Sequence, residues 1–154
     1  YTANGSEHDE QGDTTHLGKW HVQMTKRRFN KLKLLENDIY ESENEDAEIL
    51  IVPWGGSKGP AREAYDQLVA DGENVGWAYS MFVHPMPPNM IKLLLSKKLI
   101  IVPELNYMGQ FASYLRTMKI NAEPITQYTG LPFRKSILAN NIKELISKEL
   151  AGTL

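Results

Sequence analysis

From Ala47 onward one cycle recurs and leaves few folds open: a short apolar run, a turn rich in Gly or Pro, then a segment whose apolar residues fall three and four apart. Apolar runs at 48–52, 75–79 and 98–102, with a weaker one at 120–125, are the strand candidates. After the first run, Ala61, Ala64, Tyr65, Leu68 and Val69 mark one helical face, and Arg62, Glu63, Asp66 and Gln67 turn away from it. Pro60 suits the first turn of that helix and Gly72 its C-terminal cap. Further helices are expected from Pro88 through Ile91, Leu94 and Leu95, then through Phe111, Tyr114, Leu115 and Met118. A last one uses Leu138, Ile142, Leu145, Ile146 and Leu150. Strands alternating with helices imply βαβ units and a largely parallel sheet covered on both faces, so the fold class is α/β with three layers, αβα. The stretches LIVPWGGSKGPA at 50–61 and IIVPELNYMGQFA at 100–112 echo each other. They read as two instances of one strand–loop–helix solution, with Pro53 and Pro103 at strand ends, where a missing N–H does least harm.

Upstream the pattern changes. In VQMTKRRFNKLKLL, residues 22–35, Val22, Phe29 and Leu32 share one helical face, with Lys26, Arg27, Arg28, Lys31 and Lys33 around it. This is a basic helix. Then Glu36, Asp38, Glu41, Glu43, Glu45, Asp46 and Glu48 follow with no cation among them. A like-charged run repels itself, so 36–48 reads as a solvated linker, with an acidic arm laid on the basic helix as the alternative. A boundary near residue 46 divides a linker region, 1–46, from an α/β domain, 47–154. The first residue is Tyr1 rather than Met, and polar residues precede any periodic pattern, so the chain is expected to be the C-terminal piece of something longer.

The 154 residues suffice for one core, and the formal charge of −2 provides no basic field for a nucleic acid. Apolar stretches such as 93–95 and 99–102 fall far short of the roughly 20 residues that cross a bilayer, so neither a membrane nor a nucleic acid is an expected partner. The absence of cysteine excludes disulfides, thiolate catalysis and cysteine-ligated iron–sulfur clusters in this chain. It suits a reducing compartment, and the expected location is cytoplasmic.

In such a fold the loops leaving the strand C-termini gather along one edge, where these folds bind things. The first loop is Gly55-Gly56-Ser57-Lys58-Gly59, between a strand and a helix, the context in which backbone N–H groups hold an anion. Neither a P-loop nor a dinucleotide fingerprint is present, however, because Lys58 precedes the last glycine and no acid follows the second strand. The same edge carries Trp54 in the first loop, Met81, Phe82, Val83, Pro85, Met86 and Pro87 in the second, and Leu105, Tyr107 and Met108 in the third. So many large apolar side chains on loops predict a contiguous interaction patch; the alternative is that they fold inward and cap the core. Lys58, His84, Glu104, Asn106 and Gln110 are the polar groups expected to accompany the patch. His84, between Val83 and Pro85, reads as structural. Glu7-His8-Asp9-Glu10, near His16 and His21, has no zinc-ligand spacing and reads as a turn. No nucleophile–base set and no carboxylate pair stands out, so no self-contained active site is expected.

Gly5 with EHDEQG at 7–12, QMTKRRFNKLKLL at 23–35, VPWGGSKGPAREA at 52–64, VHPMPP at 83–88, VPELNYMGQFA at 102–112 and TGLPF at 129–133 occur in order over nearly the whole chain. Together they resemble the C-terminal part of the alpha subunit of 2-oxoacid:ferredoxin oxidoreductases, of the 2-oxoglutarate type. The resemblance implies a transketolase C-terminal-like domain with a mostly parallel, mixed sheet of about five strands. It also implies a parent complex that oxidatively decarboxylates 2-oxoacids to acyl-CoA with thiamine diphosphate, magnesium and iron–sulfur clusters, and passes the electrons to ferredoxin. The expected partners are the beta subunit and the N-terminal part of the alpha subunit. The family's N-terminal alpha domain has no counterpart here, and diphosphate and magnesium binding belong largely to the beta subunit. No catalytic residue and no cofactor is therefore assigned to this chain, whose expected role is assembly. An independent anion- or nucleotide-binding module using Gly55–Gly59 is the competing expectation.

Overall fold

The protein is described by a computed structural model covering residues 5–152. Its contacts divide it into two units, one ending at Asn37 and the other beginning at Asp38.

In the first unit a helix, α1 (Gly18–Leu32), runs into a short 3-10 turn at Lys33–Leu35, so the basic helix starts a turn earlier than its apolar spacing suggests. Its buried side chain is Met24. The Glu7–Glu10 segment forms a tight turn closed by a bridge between His8 and Thr14. Asp9 Oδ1 accepts the N–H groups of Gln11 and Asp13, both at 3.0 Å. Glu7 accepts two hydrogen bonds from the Arg28 guanidinium, at 3.0 and 2.7 Å, and Glu10 accepts one from the Gln23 amide at 2.7 Å. The segment is a clasp on α1. Among the described residues no three His, Cys, Asp or Glu side chains gather as a metal site.

The second unit holds a five-stranded sheet in the order β1-β3-β2-β4-β5: β1 (Glu41–Glu43), β2 (Ile49–Ile51), β3 (Gly76–Tyr79), β4 (Leu99–Glu104) and β5 (Ala122–Thr126). All neighbours are parallel except β1, which runs antiparallel to β3. The helices are α2 (Lys58–Ala70), α3 (Pro88–Leu95), α4 (Gln110–Thr117) and α5 (Lys135–Leu150), close to the positions their apolar spacing marks. Pro88 opens α3 and Gly72, at φ 86°, follows the last turn of α2.

Side chains alternate between the faces of a strand, and that alternation builds two cores. Ile49, Ile51, Trp77, Leu99 and Ile101 pack with Leu68 of α2 and with Leu138 and Ile142 of α5. Leu50, Val52, Ala78, Ile100 and Val102 pack with Met90 and Leu94 of α3 and with Phe111 and Leu115 of α4. Two helices on each face make the three layers. Gly76 is where the sheet is tightest: an added Cβ would lie 2.5 Å from the Asn44 carbonyl oxygen and 2.2 Å from Leu50 Cδ2.

One expectation needs correction. The acidic run 36–48 is not a linker throughout, because Glu41–Glu43 forms the edge strand β1. Residues two apart on a strand share a face, so Glu41 and Glu43 point together. They meet Lys58 and Arg62 of α2, with Lys58 Nζ 2.6 Å from Glu41 and Arg62 bound through both guanidinium nitrogens to Glu43. The cations that the run itself lacks come from a helix distant in sequence, and the acidic strand belongs to the sheet rather than to solvent. No described helix is long and apolar enough to cross a membrane.

Candidate functional site at the strand ends

From β2 the chain crosses through α2 to β3 on one side of the sheet; from β3 it crosses back through α3 to β4 on the other side of β2. The strand order therefore reverses between β2 and β4. In open α/β sheets a crevice forms at that reversal, because loops leaving neighbouring strands diverge to opposite faces. The loops here are 52–57, leading to α2, and 105–109, leading to α4.

Glu104, the last residue of β4, is fully buried. A buried carboxylate is costly unless its lone pairs are satisfied. Four donors converge on this one: Trp54 Nε1 at 3.3 Å, Asn106 Nδ2 at 2.7 Å and the Phe111 N–H at 2.8 Å reach Oε2, and the Ala112 N–H at 2.9 Å reaches Oε1. Two of these are in the first turn of α4, where the helix dipole favours negative charge. Asn106 Oδ1 accepts the Gln110 N–H at 3.2 Å, which fixes the amide orientation. Gly109 adopts a left-handed φ of 62°, and an added Cβ there would lie 2.8 Å from Pro124 Cγ. One carboxylate thus ties the Trp54 loop, the 105–109 loop and the start of α4 together.

Trp54 is half-buried, with its ring 6.0 Å from Phe111, which stacks on Tyr114 at 6.3 Å. The Tyr114 hydroxyl lies 2.9 Å from His84 Nδ1. Ser57 Oγ donates to the Trp54 carbonyl at 2.8 Å and accepts its N–H at 3.2 Å, closing a 3-10 turn over Gly55–Ser57. Gly55 needs its glycine for a φ of 53°, but side chains at Gly56 and Gly59 would meet nothing within 4 Å. Trp54, Gly55, Gly56, Ser57, Leu105, Asn106 and Gln110 line a cleft of about 250 Å³. Beyond Trp54 a smaller socket of about 130 Å³ is lined by Trp54, Val83, Gln110, Phe111 and Tyr114.

The structure thus brings Trp54, Gly55, Gly56, Ser57, Asn106 and Gln110 together and places Glu104 beneath them. It does not bring Lys58, whose ammonium binds Glu41 and sits 4.0 Å above the Tyr79 ring. Gly59 lies within the first turn of α2. The apolar loop residues divide between both expectations for them. Met86 and Pro87 are buried, and Phe82, Val83 and Pro85 half-buried, whereas Met81, Tyr107 and Met108 are 72%, 73% and 76% exposed and Leu105 is exposed as well. Tyr107 stands edge-on to Tyr128 with centroids 5.0 Å apart. Phe111 and Tyr114, which the apolar spacing marks only as the inner face of a helix, also wall the socket.

The domain is a mixed α/β unit whose strand-end cleft gathers aromatic, amide and glycine groups around a buried carboxylate. Residues 47–131 match the pyruvate:ferredoxin oxidoreductase core domain II family, and the chain belongs to that family. It is 34% identical over 87% of its length to the alpha subunit of 2-oxoacid:ferredoxin oxidoreductase 1 of Aeropyrum pernix, covering 21% of that protein. It is 32% identical over 99% of its length to the 2-oxoglutarate oxidoreductase subunit KorA of Mycobacterium tuberculosis, covering 22% of it. Among solved structures it superposes on the 2-oxoglutarate:ferredoxin oxidoreductase of Magnetococcus marinus, with 2-oxoglutarate, coenzyme A and succinyl-CoA bound, at a TM-score of 0.74 and 33% identity. That match covers 94% of this chain and 26% of the other. The chain spans about a fifth to a quarter of the length of these relatives.

Proposed function

We propose that the chain is the assembly domain of the alpha subunit of a 2-oxoacid:ferredoxin oxidoreductase of the 2-oxoglutarate type, and that its strand-end rim docks against the rest of that enzyme. The parent oxidatively decarboxylates a 2-oxoacid to its acyl-CoA and passes electrons to ferredoxin in the cytoplasm. Thiamine diphosphate, magnesium and iron–sulfur clusters are held by other parts of the complex. The α/β unit that begins at Asp38 is, in this reading, the transketolase C-terminal-like part.

The observation that carries this reading is how the polar groups of the cleft are used. Glu104, Asn106 and Ser57 satisfy one another and the backbone, and Lys58 is committed to Glu41. Facing outward are Met81, Leu105, Tyr107 and Met108, with the Gln110 amide beside the cleft. A surface with its charges paired and its aromatic and thioether side chains exposed suits a protein contact better than an anion. The pairing of Lys58 also counts against the competing nucleotide module.

The test is capture of the chain by its beta subunit and the remainder of its alpha subunit, alongside thermal shift with thiamine diphosphate, CoA and nucleotides. Trp54→Ala and Tyr107→Ala are expected to weaken capture, each by about 2 kcal/mol or more if they are hot spots. A true ligand site would raise stability by about 2.7 kcal/mol at a hundredfold excess over Kd. Such a rise with nucleotide, abolished by Lys58→Ala and accompanied by unchanged capture of the two aromatic variants, would replace this reading with the binding module.

A further inference from the structure

The strand-end rim does not account for the first unit, whose helix carries a periodicity of its own. In α1 and the turn after it, Val22 and Phe29 are seven residues apart, as are Thr25 and Leu32, and the two pairs interleave at spacings of three and four. This is the spacing of an a/d seam, kept over two heptads. Lys19, Lys26 and Lys33 also recur every seven residues, at the position that borders such a seam on one side, and His21 and Arg28 border it on the other. Phe29 is 67% exposed and Val22 54%. The side chain that α1 buries is Met24, about 120° or more around the helix from both Val22 and Phe29 at 3.6 residues per turn, so those two point away from the face by which the helix is held, while Thr25 and Leu32, nearer to Met24, are half-buried. The two flanks differ: Glu7 occupies Arg28 and His21, at 2.7 and 3.1 Å, whereas Lys19, Lys26 and Lys33 have no carboxylate within ion-pair distance among the described residues.

We propose that α1 is one strand of a two-helix coiled coil, and that its partner is an amphipathic helix with apolar core positions and Glu or Asp along its edges. Charge complementarity selects that occupant. A second copy of α1 brings no row of carboxylates to Lys19, Lys26 and Lys33: one of its edges repeats those lysines and the other carries Arg28 and His21 with the single Glu7. A nucleic acid would set phosphates against Val22 and Phe29, and a lipid surface would have to take Thr25 from the middle of the seam. The proposal is independent of the role given to the strand ends.

It is tested on the 154-residue chain by fluorescence anisotropy with two synthetic peptides of about three heptads, Leu at the core positions of both, one with Glu and one with Lys at the edges. The Glu-edged peptide is expected to bind at least about tenfold more tightly than the Lys-edged one, with the gap narrowing at high salt. Phe29→Asp, an exposed position, should abolish binding without changing the circular dichroism. The triple change Lys19→Glu, Lys26→Glu and Lys33→Glu should invert the peptide preference. Equal binding of the two peptides, no binding of either, binding indifferent to both variants, or association with phosphatidylserine vesicles or duplex DNA in place of the peptide would each overturn the proposal.

Discussion

Glu104 shows how a single buried side chain can tie two loops and a helix start together. All four groups around it are donors and a carboxylate only accepts, so the match is complete. Glutamine has nearly the same shape but must present an NH₂ to at least one N–H donor. Glu104→Gln is therefore expected to lower unfolding stability by about 1–3 kcal/mol, measured by urea denaturation. If the carboxylate did no more than fill space, the variant would be neutral. A second carboxylate is tuned by its neighbours. The hydrogen bond from Arg28, helped by the His8 N–H and by the charges of Arg28 and His21, lowers the pKa of Glu7 from 4.5 to about 2. A carboxyl group with a depressed folded-state pKa contributes stability above its unfolded value and loses it as the pH falls through the folded one. The clasp on α1 should thus be intact above about pH 4.5 and loosen toward pH 2. Carbon-detected NMR titration of the Glu7 carboxyl should show the low midpoint, and Arg28→Ala should return it toward the ordinary carboxylate range.

Elements were readable where one physical signal dominated. The buried strands β2 and β4 are apolar runs, with Pro53 just beyond β2 and Pro103, expected at the strand's end, lying inside β4 opposite Ile125, and α2 to α5 repeat apolar residues at the helical spacing, so both stand out in the sequence. Strand β1 was hidden because its residues are Glu-Ser-Glu: composition says solvent, and only the partner helix says sheet. The missing information was non-local, the approach of Lys58 and Arg62 across the sheet edge. Arg62 tests how much that approach matters. Besides Glu43 it binds Asp66 at 2.9 Å and lies over the rings of Tyr65 and Trp77. Because these pairs are partly exposed, the ionic share is below about 1 kcal/mol, and covering the aromatic surface adds to it. Arg62→Ala should lower stability by about 1 kcal/mol and speed amide exchange in β1 more than in β4. Equal protection in both strands before and after the change would mean that β1 does not depend on the arginine.

At the level of the whole molecule, the loops that form the cleft were predictable from the strand ends, but their division of labour was not. Whether a Met or Tyr in a loop turns inward depends on the strand order, which sets which loops diverge, and a single sequence leaves that order open. The reversal between β2 and β4 explains why Trp54 and Gln110 face one cleft although they lie far apart in the chain. The edge strand β1 has a further consequence for handling the protein. It lies upstream of residues 47–131, the part that matches the family, yet it covers the outer hydrogen-bonding groups of β3. A fragment cut at Ala47 would leave β3 as a bare flank able to recruit other chains, the usual route to aggregation. Expressed from Asp38 the unit should elute as a single species in size-exclusion chromatography, while the version trimmed to Ala47 should self-associate. That outcome would make Glu41–Glu43 a built-in guard against polymerisation.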